Sequence, residues 1–230
     1  MHMDRRQFVK NLGLGTASLS MGSLVTASSC APSGDSSLKQ NVKEGEDGQF
    51  LFIGDDIAIA QTEYGKVQGY LLNHVYTFLG VPYGADTSGK NRFMPPQKPE
   101  PWTDVRPAVF YGNTAPQRME NRWPNNYGTF ADHWNYWDVS EDCLYLNVWT
   151  LGIADGKKRP VLVWLHGGGF TNGSGIEQDG YHGENISREG DIVFCSINHR
   201  LGPIGFSDLS GVGGEAYKDS GNVGMLDIIA

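Results

Sequence analysis

Six residues, Pro160-Val161-Leu162-Val163-Trp164-Leu165, carry no polar side chain and run straight into His166 and three glycines, Gly167-Gly168-Gly169, before Phe170. The apolar run is too short for a globular helix and shows no polar alternation, so it predicts a strand buried on both faces, as in a parallel sheet. Consecutive glycines permit positive φ and leave main-chain N–H groups open to a ligand with no Cβ in the way. Such a corner is an anion trap: amides already aimed at an oxygen that gains negative charge stabilise it, and loss of one such donor typically costs about 10²–10³ in rate. The competing reading is a glycine-rich turn with no chemistry, which the glycines alone do not exclude.

The remaining composition narrows the choice. A chain of 230 residues is long enough for one ordinary domain or part of a larger one, and 39% apolar residues with six tryptophans indicate a globular core. The net charge of −8 and a single short basic cluster, Lys157-Lys158-Arg159, exclude nucleic acid as an expected partner. Cys30, Cys143 and Cys195 are far apart, without C-x-x-C spacing, so neither a metal nor another cofactor is expected. An odd count leaves at least one thiol outside any intramolecular disulfide.

Arg5-Arg6-Gln7-Phe8-Val9-Lys10 precedes a mildly apolar stretch, Leu12 to Val25, diluted by glycine, serine and threonine. This resembles a twin-arginine export signal, with Asp4 where serine or threonine is usual, and residues 1–30 are set aside from the fold. Ala27-Ser28-Ser29-Cys30 resembles a lipoprotein processing box, which makes Cys30 a lipidation candidate. The expected location is therefore outside the cytoplasm, periplasmic or membrane-anchored, with membrane contact only through a lipid at Cys30. Residues 31–53 are small, polar and charged and read as a disordered spacer.

From residue 54 the pattern is globular. Ile57 to Ala60, Lys66 to Leu71 and Val75 to Leu79 read as short strands separated by Gly65 and Asn73-His74, a small antiparallel sheet. The proline-rich region that follows cannot be helical. Gly84 to Lys90 has phosphate-loop spacing, but Asn91 takes the hydroxyl position and prolines deny the helix, so it is rejected. Residues 111–138, rich in Trp, Tyr and Asn, suit either an overhang on a cleft or a flap packed on the core. Glu141 to Trp149 is an acidic turn into a strand, Glu184 to Arg188 a short helix, and Asp191 to Asn198 a further buried strand. Asn222 reads as the cap of a helix that runs to Ala230. Apolar strands joined by crossover-length connections indicate a parallel α/β sheet.

Taken together, Gly80-Val81-Pro82-Tyr83, Asn91-Arg92-Phe93, Glu141 to Trp149, His166 to Phe170, Asn198 to Phe206, and Gly221-Asn222 with Leu226-Asp227 resemble the type-B carboxylesterases. These are α/β-hydrolases that include cholinesterases and bacterial esterases, and the blocks run in family order from about Thr62 onward. The resemblance implies an incomplete α/β-hydrolase fold over residues 54–230, with a small N-terminal antiparallel sheet leading into a mostly parallel central sheet. It also implies a serine carboxylesterase acting on small-molecule esters through an acyl-enzyme. Gly168 and Gly169 would donate the oxyanion N–H groups, as the corner after the third strand does in lipases and esterases. His166 and Gly167 would shape the turn, and His166 would not be the catalytic base. Arg92 and Glu141 would form an inward-facing structural ion pair. Many members pair the cysteine matching Cys143 with one just before Pro116-Gln117; Ala115 stands there, so that disulfide is absent and Cys143 is expected as a buried thiol.

No G-x-S-x-G elbow occurs in the 230 residues; Gly205-Phe206-Ser207-Asp208-Leu209 fails at the second glycine. The serine, acid and base are therefore expected beyond residue 230, and these residues alone are expected to be inactive and poorly folded, with an open apolar sheet edge. A non-catalytic cell-surface binding protein on the same fold, or an inactive gene remnant, are the alternatives.

Overall fold

The computed structural model describes residues 50–54, 56–118 and 137–230. The export signal, Cys30, the spacer up to residue 49 and most of the aromatic-rich stretch, residues 119–136, lie outside them.

The first hairpins form where the turn residues allow. β2 (Ile59–Gln61) and β3 (Lys66–Gln68) pair antiparallel, with Ala60 opposite Val67, after a short edge strand β1 (Leu51–Phe52). β4 (Tyr70–Leu72) and β5 (Val75–Pro82) are joined by Asn73-His74, both at positive φ (48° and 67°). Positive φ at both central residues is the twist a two-residue hairpin needs, and Asn and His tolerate it better than most. Asn73 is fixed further by accepting the Phe50 N–H (3.1 Å) and donating to Glu184 Oε1 (2.9 Å).

The run Lys66 to Leu71, expected as one strand, divides at Gly69. β3 joins a three-stranded sheet β2-β3-β6, with β6 (Arg106–Pro107) parallel to β3, while β4 enters the main sheet. At Gly69 the backbone is so close to the Thr77 carbonyl and the Phe78 ring that no Cβ would fit, so the chain changes sheets there.

The main sheet has the order β1-β4-β5-β7-β9-β8, where β7 is Tyr145–Thr150, β8 Val161–Trp164 and β9 Val193–Ile197. Only the β8–β9 pair is parallel; β7 runs antiparallel to both of its neighbours, β5 and β9, so the described sheet is mixed rather than mostly parallel. The β8–β9 crossover carries helix α1 (Glu184–Gly190), which ends at Asp191 in the left-handed region and packs on β7, with Ser187 Oγ donating to the Trp149 carbonyl (3.1 Å). A bulge between Phe78 and Val81, at Gly80 with φ +64°, bends β5, and Asn147 Oδ1 accepts the Gly80 N–H there (3.0 Å).

β8 departs most from expectation. It lies at the end of the strand order, Val161 and Val163 are 64% and 53% exposed, and Leu162 and Trp164 are also open. Buriedness on both faces was inferred from composition, but composition does not supply a neighbour: among the described strands β8 pairs only with β9.

The core lies deeper, around Val75, Leu79, Trp149 and Phe194, with a second cluster of Ala58, Val67, Phe78, Val81 and Ala108 beneath the small sheet. Past β9 the chain forms α2 (Gly202–Phe206), α3 (Ser210–Gly213) and α4 (Val223–Ile229). Asn222 occupies the N-cap position of α4 as expected, yet its side chain makes no capping bond.

Candidate active site

β8 delivers the chain into the glycine corner, and the backbone there is unusual. Gly168, Gly169 and Phe170 all have positive φ (112°, 60° and 61°). A Cβ on Gly168 would collide with the Asn172 carbonyl, so only glycine fits, whereas around Gly169 the space within 4 Å is empty. Phe170 is a bulky residue in a region that costs it about 1–3 kcal/mol. It is held by the Phe206 ring, 5.1 Å between centroids, and by its carbonyl accepting the Gly202 N–H (2.7 Å).

The direction of the amides follows from their carbonyls. A trans peptide is planar, so each N–H points opposite to the preceding C=O. The Gly167 carbonyl is held by His166 Nδ1 (2.8 Å) and lies against Gly173. The Gly168 carbonyl accepts the Thr171 and Asn172 N–H groups (3.1 and 3.3 Å). With both carbonyls tied back, the N–H groups of Gly168 and Gly169 are turned the other way. Both residues are exposed, and among the described residues neither amide donates to another group.

Behind the corner, the rings of His166 and His199 stack at 4.9 Å and 15°. His199 Nδ1 contacts the Arg200 carbonyl (2.9 Å). A carbonyl only accepts, so Nδ1 carries the proton in both rings. His166 thereby shapes the turn, as the sequence suggested. Asn198, at the end of β9, accepts the Gly175 N–H (2.8 Å) and donates to the Asn113 carbonyl (3.0 Å). Gln117 pairs with both backbone groups of Gly173, Nε2 to its carbonyl at 2.8 Å and its N–H to Oε1 at 2.7 Å.

The ion pairs divide differently from expectation. Arg92 Nε and Glu141 Oε2 do meet, at 2.6 Å, but the Arg92 side chain is 47% exposed, so the pair is not inward-facing and is screened by solvent. The buried pair is Arg200 and Asp227, both 0% exposed. Asp227 accepts from Arg200 Nη2 (2.6 Å), Nε (2.8 Å) and the Arg200 backbone N–H (3.0 Å), and Arg200 Nη1 donates to the Met94 carbonyl (2.8 Å). Sequence reasoning quoted both residues without pairing them. The signal was present: an aspartate among Met225, Leu226, Ile228 and Ile229, and an arginine directly after a buried strand.

Cys143 and Cys195 are free and buried. Burial pushes the Cys143 thiol far up, with Asp227 adding to it, and pushes Cys195 up to about 11. Neither is a thiolate nucleophile near neutral pH. Ala115 packs in one cluster with Cys143, Leu144 and Leu201, so the position expected to hold a partner cysteine does lie beside Cys143. An apolar cavity of about 620 Å³, lined by Val67, Phe78, Val81, Leu146 and Val148 with Ala230 at its wall, does not include the glycine corner.

The chain resembles known proteins over the same span. It is 40% identical over 172 residues to para-nitrobenzyl esterase of Bacillus subtilis (strain 168), covering 74% of this chain and 32% of that protein. It is 44% identical over 157 residues to phenmedipham hydrolase of Pseudarthrobacter oxydans, covering 68% and 30%. A solved esterase from Clostridium hathewayi superposes with a TM-score of 0.71 at 38% identity, over 79% of this chain and 34% of that one. These solved relatives have the α/β-hydrolase fold, and the chain spans about a third of the length of the relatives it matches. The carboxylesterase family profile matches residues 56–230, and the chain therefore belongs to the carboxylesterase family.

Proposed function

We propose that the protein is a carboxylic ester hydrolase in which Gly168 and Gly169 stabilise the oxyanion of an acyl-transfer reaction. The carrying observation is that the tied-back carbonyls of Gly167 and Gly168 turn the N–H groups of two exposed glycines away from those contacts. When a nucleophile attacks the ester carbon, the carbonyl π electrons move onto its oxygen. Two preset N–H donors then meet the new charge without reorganising. No G-x-S-x-G elbow is present in these 230 residues, so the part of the reaction they carry is stabilisation of the oxyanion. Uncharged esters are the substrate class, in keeping with relatives named for a para-nitrobenzyl ester and for aliphatic aromatic polyesters. Arg5-Arg6 and Cys30 support export, with lipidation at Cys30 as the membrane tether.

The test is hydrolysis of para-nitrophenyl esters by the full-length protein, comparing Gly169→Ala with Gly214→Ala. Both glycines have positive φ (60° and 70°) and no neighbour within 4 Å of a Cβ, so neither alanine meets a clash. Alanine keeps the N–H but disfavours the φ of +60° that aims it, so kcat should fall in Gly169→Ala, by no more than the about 10²–10³ that outright loss of one donor costs, with Gly214→Ala near wild type. Equal activities in the two variants would refute the assignment.

A further inference from the structure

We propose that Gln117 is a positioning residue for the glycine corner, acting through Gly173 on the direction of the Gly168 and Gly169 amides. The inference rests on the reading of that corner given above and names what holds it.

Gln117 lies 56 residues before Gly173, in the segment that leads from β6 toward β7, yet its amide engages Gly173 as a paired strand would. Nε2 donates to the Gly173 carbonyl and Oε1 accepts the Gly173 N–H, at 2.8 and 2.7 Å. The same Nε2 is within 3.1 Å of the Ala115 carbonyl, which ties the side chain to a residue packed against Cys143 and Leu144. Gln117 thus transmits the position of the core to Gly173, between the Thr171 and Asn172 bonds on one side and the Gly175–Asn198 bond on the other.

Gly173 in turn backs the corner. Its Cα faces the Gly167 carbonyl and the His166 ring so closely that a Cβ would strike both, and its φ of +111° admits little but glycine. The Gly167 carbonyl is therefore confined between the His166 ring and Gly173. That carbonyl sets the Gly168 N–H through the plane of the shared peptide. Thr171 and Asn172, the residues between the corner and Gly173, donate to the Gly168 carbonyl and set the Gly169 N–H in the same way. Loss of the Gln117 clamp frees Gly173, and both carbonyls lose the surface and the short loop that hold them. Asn198 restrains Gly175 two residues on, which keeps the loop folded without fixing its first half.

The experiment uses the full-length protein with Gln117→Leu, which keeps the bulk and removes both hydrogen bonds to Gly173 along with the one to the Ala115 carbonyl. Gln117→Glu retains the acceptor for the Gly173 N–H and serves as the partial rescue. Amide hydrogen exchange followed by NMR should show Thr171, Asn172 and Gly173 exchanging at least about tenfold faster in Gln117→Leu, with β7 and β9 amides unchanged. Gln117→Glu should fall between that variant and wild type. On a para-nitrophenyl ester, kcat should drop about tenfold or more with KM little altered, because the amides act on the transition state rather than on the bound ester. Faster exchange at Gly173 alone, or a uniform loss across β7 and β9, would overturn the proposal; so would a fall confined to KM. If Gln117→Leu does not fold, the same criteria apply to Gln117→Glu. Exchange reads the corner without any ester, so a wild-type protein lacking ester hydrolysis would refute the proposed function and still leave the exchange result to decide this one.

Discussion

Removing one charge from the Arg200–Asp227 pair should be among the most damaging single changes in the described fold. Asp227→Asn keeps the volume but leaves the Arg200 guanidinium, 0% exposed, with neutral acceptors only, the Met94 carbonyl and one amide oxygen. Unpairing a buried charge in this way costs about 3–5 kcal/mol. Domains of this kind are stable by only about 5–15 kcal/mol, so about a fifth or more of the total is at stake. At about 2–4 °C per kcal/mol, the melting temperature should fall by roughly 6–20 °C. The loss should also reach the glycine corner. Asp227 accepts the Arg200 backbone N–H, and two residues later the Gly202 N–H holds the Phe170 carbonyl at the end of that corner.

The assay is equilibrium urea unfolding of the full-length protein, with Arg92→Gln as the comparison, since the Arg92–Glu141 pair is half open to solvent. The paired replacement Arg200→Met with Asp227→Leu should recover most of the loss, because it removes both buried charges together. A cost below about 1 kcal/mol for Asp227→Asn, the range of an exposed pair, would refute the reasoning. A double replacement no better than the single one would refute it equally.

Acidification should destabilise the fold below about pH 6.5. Burial holds the His182 and His199 pKa values below 6.5, against an opposing pull from Glu184 and Asp179 on His182, and from the Arg200 carbonyl and Asp227 on His199. The unfolded chain therefore binds protons first as pH falls, so this contribution is complete above 6.5 and is lost on the way down through the folded pKa. Melting temperatures at about pH 7.5 and 5.5 check this, and His199→Gln should flatten the difference; a flat wild-type profile contradicts it. Ala115→Cys should form a disulfide with Cys143, closing a loop of about 28 residues and adding at most about 3–4 kcal/mol. Non-reducing mass spectrometry of a tryptic digest shows whether the bond forms, and two free thiols under oxidising conditions contradict the prediction.

What was legible in the residues was local. The glycine corner, the Asn73-His74 turn and the Glu184–Arg188 helix all depend on conformational preferences that a few neighbours decide, and all three are present. The buried Cys143 was legible too, through the alanine at position 115. The division of Lys66–Leu71 between two sheets was not, because it depends on the Thr77 carbonyl passing Gly69. The inward-facing reading of Arg92–Glu141 failed for a related reason: pairing follows from charge, whereas exposure depends on what else packs nearby.

By itself the sequence determined family, strand-and-turn punctuation and a glycine corner able to take positive φ, since these follow from residue type and close neighbours. Only the tertiary structure decided which way the corner's amides face, that Arg200 pairs with Asp227 and Gln117 with Gly173, and that β8 comes last in the order of the described strands. Each of those brings together groups from separate stretches of chain, and the energy of such a meeting is a property of the folded geometry, which no local pattern of residues records.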